Sequence, residues 1–375
     1  MMGATTQTEP KTAAPPRPAA RPVFLRWLFL SAGFLFLIYN AVLLLFVRLH
    51  PWWLFEFIRI NYGFNTLAMP SYLAVCCLIG YYSAWRAPHR AHARRLKRLS
   101  LWALIAAAAL GGARLWATGI EPSLFQVRHE PLGTGKLSNP VRILHITDIQ
   151  SDFVGRREER AFEMMRALNP DLVIFTGDLL QPLPPATFQS ELPKIDRLLR
   201  SLTPRLGFVA VGGDVDGQVI GEMKAGLGGM RLLEDESVRI DTGDGCINIY
   251  GMNRGFSRSV GLSRPDVQKW LAQAAPTDFT ILVGHGPDYI LSSDDLPIDL
   301  CLAGHTHGGQ IRLPFYGPPI TFSRIPRELA RGFHKVGKTR LNVSAGIGGE
   351  HLAGIPIIRL NCPPEMSLFE IVPSK

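Results

Sequence analysis

With 375 residues the chain has room for one large domain and a smaller module, and its five cysteines are placed as a pair in an apolar run (Cys76, Cys77) and three distant singles (Cys246, Cys301, Cys362), which excludes a disulfide framework or a thiolate metal cluster. The formal charge of +9 is uneven: residues 1–100 hold twelve Lys/Arg against two acids, and the remaining 275 hold 28 against 29. The basic excess therefore belongs to the N-terminal flank and does not describe a nucleic-acid-binding surface.

Residues 1–24, rich in Pro, Ala and Thr without a periodic apolar face, read as a disordered tail. Residues 28–47 are twenty positions without a charge, long enough to span a hydrocarbon core and too long for the apolar segment of a signal peptide. Pro51-Trp52-Trp53 opens a connector whose aromatics suit a membrane interface, and residues 67–85, bearing Pro70, form a second uncharged run. Residues 86–98 then carry six Lys/Arg and are expected as a cytoplasmic loop facing anionic headgroups. The third run, 99–113, is short for a span, and reaching Ile120 requires accommodating Arg114. If it crosses, the positive-inside bias puts all that follows about residue 121 outside the cytoplasm; if it is only interfacial, the remainder stays inside. The crossing is the expected arrangement, giving a membrane region over 25–120 with two or three spans.

From 121 to 375 the composition is that of a soluble α/β domain. Residues 141–146 read as a strand running into Thr147-Asp148-Ile149-Gln150-Ser151-Asp152, and 156–168 as a helix. A strand at 171–175 ends in Thr176-Gly177-Asp178, and a helix is expected at 192–202. The strand 207–211 leads into Gly212-Gly213-Asp214-Val215-Asp216-Gly217, and 279–283 into Gly284-His285-Gly286-Pro287-Asp288. Finally, an apolar run from 298 to 303 enters Gly304-His305-Thr306-His307-Gly308-Gly309-Gln310.

In extended backbone, residues i and i+2 point the same way, so His305 and His307 suit one metal or two adjacent ones. A single Asp after a strand is most often a cap or turn former. Five strand ends that each carry an acid or a histidine are hard to explain as caps, because side chains at the carboxyl ends of neighbouring strands meet in one crevice. Among the other polar groups, His145 reads as a satisfied core histidine and Asp152 as a turn or cap residue. Arg312 lies close enough to the histidine loop to meet a phosphate. His351 is a candidate proton donor, and Gly346, Gly348 and Gly349 could admit a substrate close to the backbone.

From about residue 141 to the C-terminus these motifs resemble the calcineurin-like metallophosphoesterase family, whose Asp-x-His, Gly-Asp, Gly-Asn-His-Asp/Glu, lone His and Gly-His-x-His sequences build a two-metal site. The fold this implies is α/β, a double β-sheet sandwich flanked by helices, here preceded by an all-α transmembrane region. The run from Gly304 to Pro314, with Val343-Ser344-Ala345-Gly346-Ile347-Gly348 and Pro364-Glu365, is similar to the family's membrane-associated phosphodiesterase branch, which includes UDP-2,3-diacylglucosamine pyrophosphatase-type enzymes. Position by position, the resemblance implies that Asp148 and His307 bind one metal, that His285 and His305 bind the other, and that Asp178 bridges both. Asp214 stands at the family's Asn position. Gln150 replaces a His ligand, and Val215 replaces the His that assists the leaving group.

Gln150 can still offer a carbonyl oxygen, and Asp214 adds a third carboxylate. A donor set richer in oxygen favours harder ions, Mn first among two bound divalent cations, with Mg, Fe or Zn as alternatives. With no side-chain acid at Val215, metal-bound hydroxide is expected to act on bonds whose leaving group needs little protonation, since such an acid is worth about a hundredfold. The expectation is a membrane-anchored phosphohydrolase of the inner membrane. It would cleave phosphodiester or pyrophosphate bonds, with the bilayer and a phosphorylated, lipid-linked substrate as partners and no nucleic acid. Its catalytic domain is expected to be extracytoplasmic by charge bias, with the cytoplasm as the alternative, and no protein partner can be named. The competing reading is a catalytically degenerate, metal-binding membrane protein with a sensing or scaffolding role.

Overall fold

The computed structural model describes residues 22–49, 54–351 and 355–374, so residues 1–21 of the expected tail and the Pro51-Trp52-Trp53 connector lie outside the described residues. The described residues fall into two compact units, which divide between Ala113 and Arg114.

The N-terminal helices are α1 (Pro22–Leu49), α2 (Leu54–Gly63), α3 (Met69–Trp85) and α4 (Arg90–Leu115). A π-turn at Phe64–Ala68 joins α2 to α3, and Pro70 falls just after it in the first turn of α3. Proline is tolerated there because it has no N–H to donate and the wider turn relieves its clash with the preceding carbonyl. The structure corrects the basic loop: Arg90 to Arg98 are helical, the opening turns of α4. Alanine, leucine, arginine and lysine are strong helix formers, and Pro88 confines the non-helical turn to the residues before Arg90. Leu96 and Ser100 are buried, while Arg90, Arg94, Arg95, Lys97 and Arg98 are exposed.

Two helical stretches among the described residues, Ile58–Trp85 and Arg90–Ser123, are long and apolar enough to cross a membrane by length and composition. Their apolar side chains face outward, with Leu78 70% and Trp102 67% exposed. Within the first unit Asn40, Asn61 and Asn65 satisfy one another: Asn65 donates to Asn40 at 3.0 Å and to Asn61 at 2.9 Å, so no amide is left facing apolar surroundings alone.

The second unit runs β1 (Gln126–Thr134), β2 (Val141–Ile146), α5 (Arg156–Ala167), β3 (Leu172–Phe175), α6 (Phe188–Arg200), β4 (Phe208–Ala210), α7 (Ile220–Lys224), β5 (Arg231–Leu232), β6 (Glu236–Asp241) and β7 (Cys246–Gly251). It continues through α8 (Arg254–Ser257), α9 (Arg264–Gln273), β8 (Phe279–Val283), β9 (Leu300–Ala303), β10 (Gly332–Val336), β11 (Thr339–Val343) and β12 (Glu365–Pro373). Two mixed six-stranded sheets result, ordered β1-β12-β2-β3-β4-β5 and β10-β11-β9-β8-β7-β6.

Strand alternation builds the layers. Val141, Ile143, Leu172 and Ile174 face Ile281, Val283, Leu300 and Leu302 in the core between the sheets. The intervening Leu144, Ile146, Val173 and Phe175 pack outward under α5 and α6, whose Phe162 and Ile195 reach them. On the other sheet Leu282, Cys301 and Ala303 pack with Val267 and Trp270 of α9. Strands covered on both faces read as continuous apolar runs, which is why these could be recognised in the sequence. This is the expected α/β sandwich. The first helix after the polyproline loop starts at Phe188 rather than residue 192, because Thr187 caps it by accepting the Ser190 N–H at 3.2 Å.

Candidate metal centre

The carboxyl ends of β2, β3 and β4 in one sheet and β8 and β9 in the other carry the loops singled out by sequence. They bring Asp148, Asp178, Asp214, His285, His305 and His307 together. Potential ligand atoms of Asp148, Asp178 and His285 lie within 4.8 Å of one another, as do those of Asp214, His285 and His305. His285 Nε2 is 3.3 Å from Asp178 Oδ2 and 3.8 Å from Asp214 Oδ2; His305 Nδ1 is 3.1 Å from Asp214 Oδ2. His307 Nε2 sits 3.9 Å from Asp148 Oδ1, on the Asp148 side.

Each imidazole is oriented by its second nitrogen where that nitrogen is bonded. His285 Nδ1–H donates to the Thr176 carbonyl at 2.8 Å, and His305 Nε2–H to the Phe322 carbonyl at 3.0 Å, leaving His285 Nε2 and His305 Nδ1 for the cluster. His285 Nε2, His307 Nδ1 and Gln150 Oε1 are buried and make no hydrogen bond. Unpaired polar atoms are costly inside a protein, and divalent cations held among these side chains would supply the partner that His285 Nε2 and Gln150 Oε1 lack. Gln150 keeps its oxygen free because its amide NH2 donates to Gln181 at 2.8 Å and to Glu350 at 3.1 Å. The donor set therefore fits divalent metals.

The backbone is strained at this point. Asp148, Gln150, Asp178, His305 and His307 all have φ between 39° and 67°, a region that costs L-residues on the order of 1 kcal/mol or more each. Asp216, a residue to which sequence reasoning gave no role, holds two of these loops. It is fully buried and accepts N–H bonds from Asp178 at 2.9 Å, Leu179 at 2.7 Å and Gly213 at 2.7 Å. Asp178 accepts the Val215 N–H at 2.8 Å, and Asp148 accepts the His305 N–H at 3.0 Å and the Thr147 hydroxyl at 2.8 Å. Any side chain at Gly304 would collide with Thr147 and Asp148.

The electrostatics favour a cation. Burial, opposed by the His285 charge and reinforced by that of Asp178, pushes Asp148 up to about 7. Burial works against charge on His285 too, but Asp178, Asp148 and Asp214 outweigh it and push this imidazole up to about 10. Asp178 and Asp214 stay below the usual carboxylate range: burial would raise both, but His285 overcomes it at Asp178, and His305, His285 and Arg258 do so at Asp214. His307 is held well below its ordinary value by burial and then by Arg359. Divalent ions satisfy the same negative field with the imidazoles neutral.

The remaining sequence expectations fall as follows. His145 is a core histidine: its Nε2 lies 3.0 Å from Thr176 Oγ1, and Nδ1 accepts from Asn342 at 2.9 Å. Arg312 donates to the Gly308 carbonyl at 2.9 Å and so braces the histidine loop. His351 has both ring nitrogens against backbone carbonyls, Gly349 at 2.9 Å and Gln181 at 3.0 Å, which ties two loops together and leaves neither nitrogen free to meet a leaving group. Gly346 and Gly348 make room for the chain itself. A side chain on Gly346 would meet Asp148 Cβ at 2.6 Å, and the loop is pinned by the Ile347 and Gly348 N–H groups on the Thr147 and Asp148 carbonyls. Buried Arg359 donates to the carbonyls of Ala345, Gly346 and Gly348 from behind. Sequence reasoning also missed Glu350, beside Gln150, and the arginines Arg254 and Arg258, whose approach to Asp214 no spacing announces.

Residues 141–309 match the family model of the calcineurin-like phosphoesterases. The chain is similar to the uncharacterized metallophosphoesterase YkuE of Bacillus subtilis, at 28% identity over 292 residues that cover 74% of this chain and 97% of that one. It is similar to phosphodiesterase YaeI of Escherichia coli at 35% identity over 109 residues, 28% of this chain and 38% of that protein. UDP-2,3-diacylglucosamine pyrophosphatase LpxG of Chlamydia muridarum is 25% identical over 334 residues, 72% of this chain and 96% of that one.

Proposed function

We propose that this chain, a metal-dependent phosphoesterase of the calcineurin-like family, is a membrane-anchored phosphohydrolase that cleaves phosphodiester or pyrophosphate bonds. The observation that carries the reading is the convergence of Asp148, Asp178 and Asp214 with His285 and His305, His307 Nε2 lying 3.9 Å from Asp148 and His285 Nε2 buried and unbonded.

Asp148, Asp178, His307 and Gln150 would hold one divalent ion, and Asp178, Asp214, His285 and His305 the other, with manganese the first choice for so oxygen-rich a set. Bound there, such ions neutralise phosphoryl charge and lower the pKa of water. The chain's own part is positional. The Val215 N–H fixes Asp178 between the two groups, and Asp216 holds both carboxylate loops at their backbones. The Thr176 and Phe322 carbonyls keep the imidazoles aimed inward. Asp214 is 24% exposed where Asp148 and His285 are fully buried, so substrate enters from the Asp214 side.

Val215 carries no proton donor, and His351 is committed elsewhere, so leaving groups that depart as stable anions are favoured. The outward apolar faces of the N-terminal stretches support anchoring in a bilayer, and the similarity to a diacylglucosamine pyrophosphatase supports a lipid-linked substrate. The degenerate, sensing alternative rests on Gln150 and Val215, and against it stands an acid or a histidine at the end of each of the five strands. Turnover of bis-p-nitrophenyl phosphate against glycerol 2-phosphate tests the proposal. The diester should be hydrolysed at least about a hundredfold faster, and equal or faster turnover of the alkyl monoester would contradict it.

A further inference from the structure

At the solvent edge of the cluster, where Val215 offers no polar atom, two guanidinium groups arrive from a distant part of the chain. α8 begins after Asn253, whose side chain accepts the Phe256 N–H at 2.9 Å, and it is seated on the loop that presents His285. The Gly286 N–H donates to the Ser257 hydroxyl at 3.2 Å, and a side chain on Gly286 would meet Arg258 Cγ at 2.7 Å. Glycine at 286 is thus what lets Arg258 lie against the loop that carries His285.

Arg258 Nη1 is 2.7 Å from Asp214 Oδ2. Arg254 donates through Nη1 to the Asp214 carbonyl at 3.3 Å, and its Nε is 3.9 Å from Asp214 Oδ1. The arginine side chains are 41% and 57% exposed, so both heads stand on the side from which substrate enters. Two positive groups share one carboxylate that also faces His305 and His285. The edge therefore carries surplus positive charge in a planar, forked form that matches phosphate oxygens.

Resting on the hydrolysis proposed at this centre, we propose that Arg254 and Arg258 form a subsite for a second phosphoryl group, which makes a diphosphate diester the preferred substrate class. Water oxygen forms the new bond to the phosphorus over the carboxylate–imidazole cluster, and the bond from that phosphorus to the bridging oxygen breaks. The electron pair leaves with the bridging oxygen on a phosphate monoester held by the two arginines. Both protons of the water pass to solvent, so that one diphosphate diester and one water give two phosphate monoesters. The departing phosphate goes from one negative charge to two, and the guanidinium groups bind it more strongly as the bond breaks. This supplies at the leaving group what Val215 cannot.

The test is calorimetric binding of a matched pair to the full-length, Mn²⁺-loaded protein: the P,P′-dimethyl ester of methylenediphosphonate, which cannot be hydrolysed at its bridge, and dimethyl phosphate. The diphosphonate should bind about tenfold tighter or better, as expected for added charge-assisted hydrogen bonds. Arg258→Ala should reduce that preference to under about threefold, and Arg258→Lys should restore part of it. A ratio near one in the unaltered protein, or a preference that Arg258→Ala leaves intact, would overturn the subsite. Bis-p-nitrophenyl phosphate hydrolysis, measured on the same samples, separates the two claims. If the unaltered protein does not turn it over, the proposed hydrolysis fails, while the binding ratio still decides the role of the arginines.

Discussion

His285 donates through Nδ1 to the carbonyl oxygen of Thr176 at 2.8 Å, and this bond leaves its Nε2 3.3 Å from Asp178 and 3.8 Å from Asp214. One imidazole thereby belongs to both groups of potential ligands. Thr176 closes β3 at the point where the two sheets come together, so the sandwich itself sets the tautomer of the central histidine.

If two ions bind there as proposed, His285→Ala should disturb both. Elemental analysis of the purified variant should show metal content falling from two ions per chain to one or none, with the circular dichroism spectrum retained. Two ions still bound in the variant would show that His285 is not a ligand.

The same Thr176 meets His145 through its hydroxyl, and that fully buried imidazole has its pKa lowered to about 3 by burial. Below the ordinary value of 6.5 the unfolded chain takes up a proton that the folded one refuses. The folded-state advantage is therefore complete above pH 6.5 and lost progressively as pH falls towards 3, by about 2 kcal/mol at pH 5. Thermal unfolding of the unaltered protein should lose more stability between pH 7 and pH 5 than that of His145→Gln. Parallel losses would remove His145 as the cause.

Val215 follows Asp214 at the edge of the cluster with its N–H already bound to Asp178. Val215→His would place an imidazole where only methyl groups stand. It should raise turnover of glycerol 2-phosphate by about tenfold to a hundredfold while changing that of bis-p-nitrophenyl phosphate far less, because nitrophenolate needs little protonation. Equal gains on both substrates, or none on the monoester, would mean that leaving-group protonation does not limit the enzyme.

Much of the centre could be read from the sequence because strands buried on both faces are apolar throughout, so a polar residue at their end stands out. Asp148, Asp178, Asp214, His285, His305 and His307 all follow such runs. β1 escaped notice because it is an edge strand bearing Arg128, His129, Glu130 and Pro131, and proline and charge are tolerated at an unpaired edge. Arg254 and Arg258 were invisible for a different reason. They meet Asp214 only because β7, which precedes α8, lies beside β8 and its His285 loop, a consequence of sheet order and not of spacing. Gly346 and Gly348 stand out in the sequence but their neighbour does not, since a glycine that admits a substrate and one that admits the Asp148 segment look alike until the chain is folded. In the basic run charge alone points to a loop, whereas α4 follows the helix propensity of its alanines and leucine.

The most direct measurement is hydrolysis of bis-p-nitrophenyl phosphate by the purified protein in Mn²⁺, set beside Asp178→Ala. That carboxylate accepts the Val215 N–H at 2.8 Å and faces His285, and we assign it to both ions. Mn-dependent turnover that falls by about a hundredfold or more in the variant is the predicted result. No turnover in any divalent metal, with metal bound, or a variant as active as the unaltered protein, would contradict a two-metal phosphohydrolase.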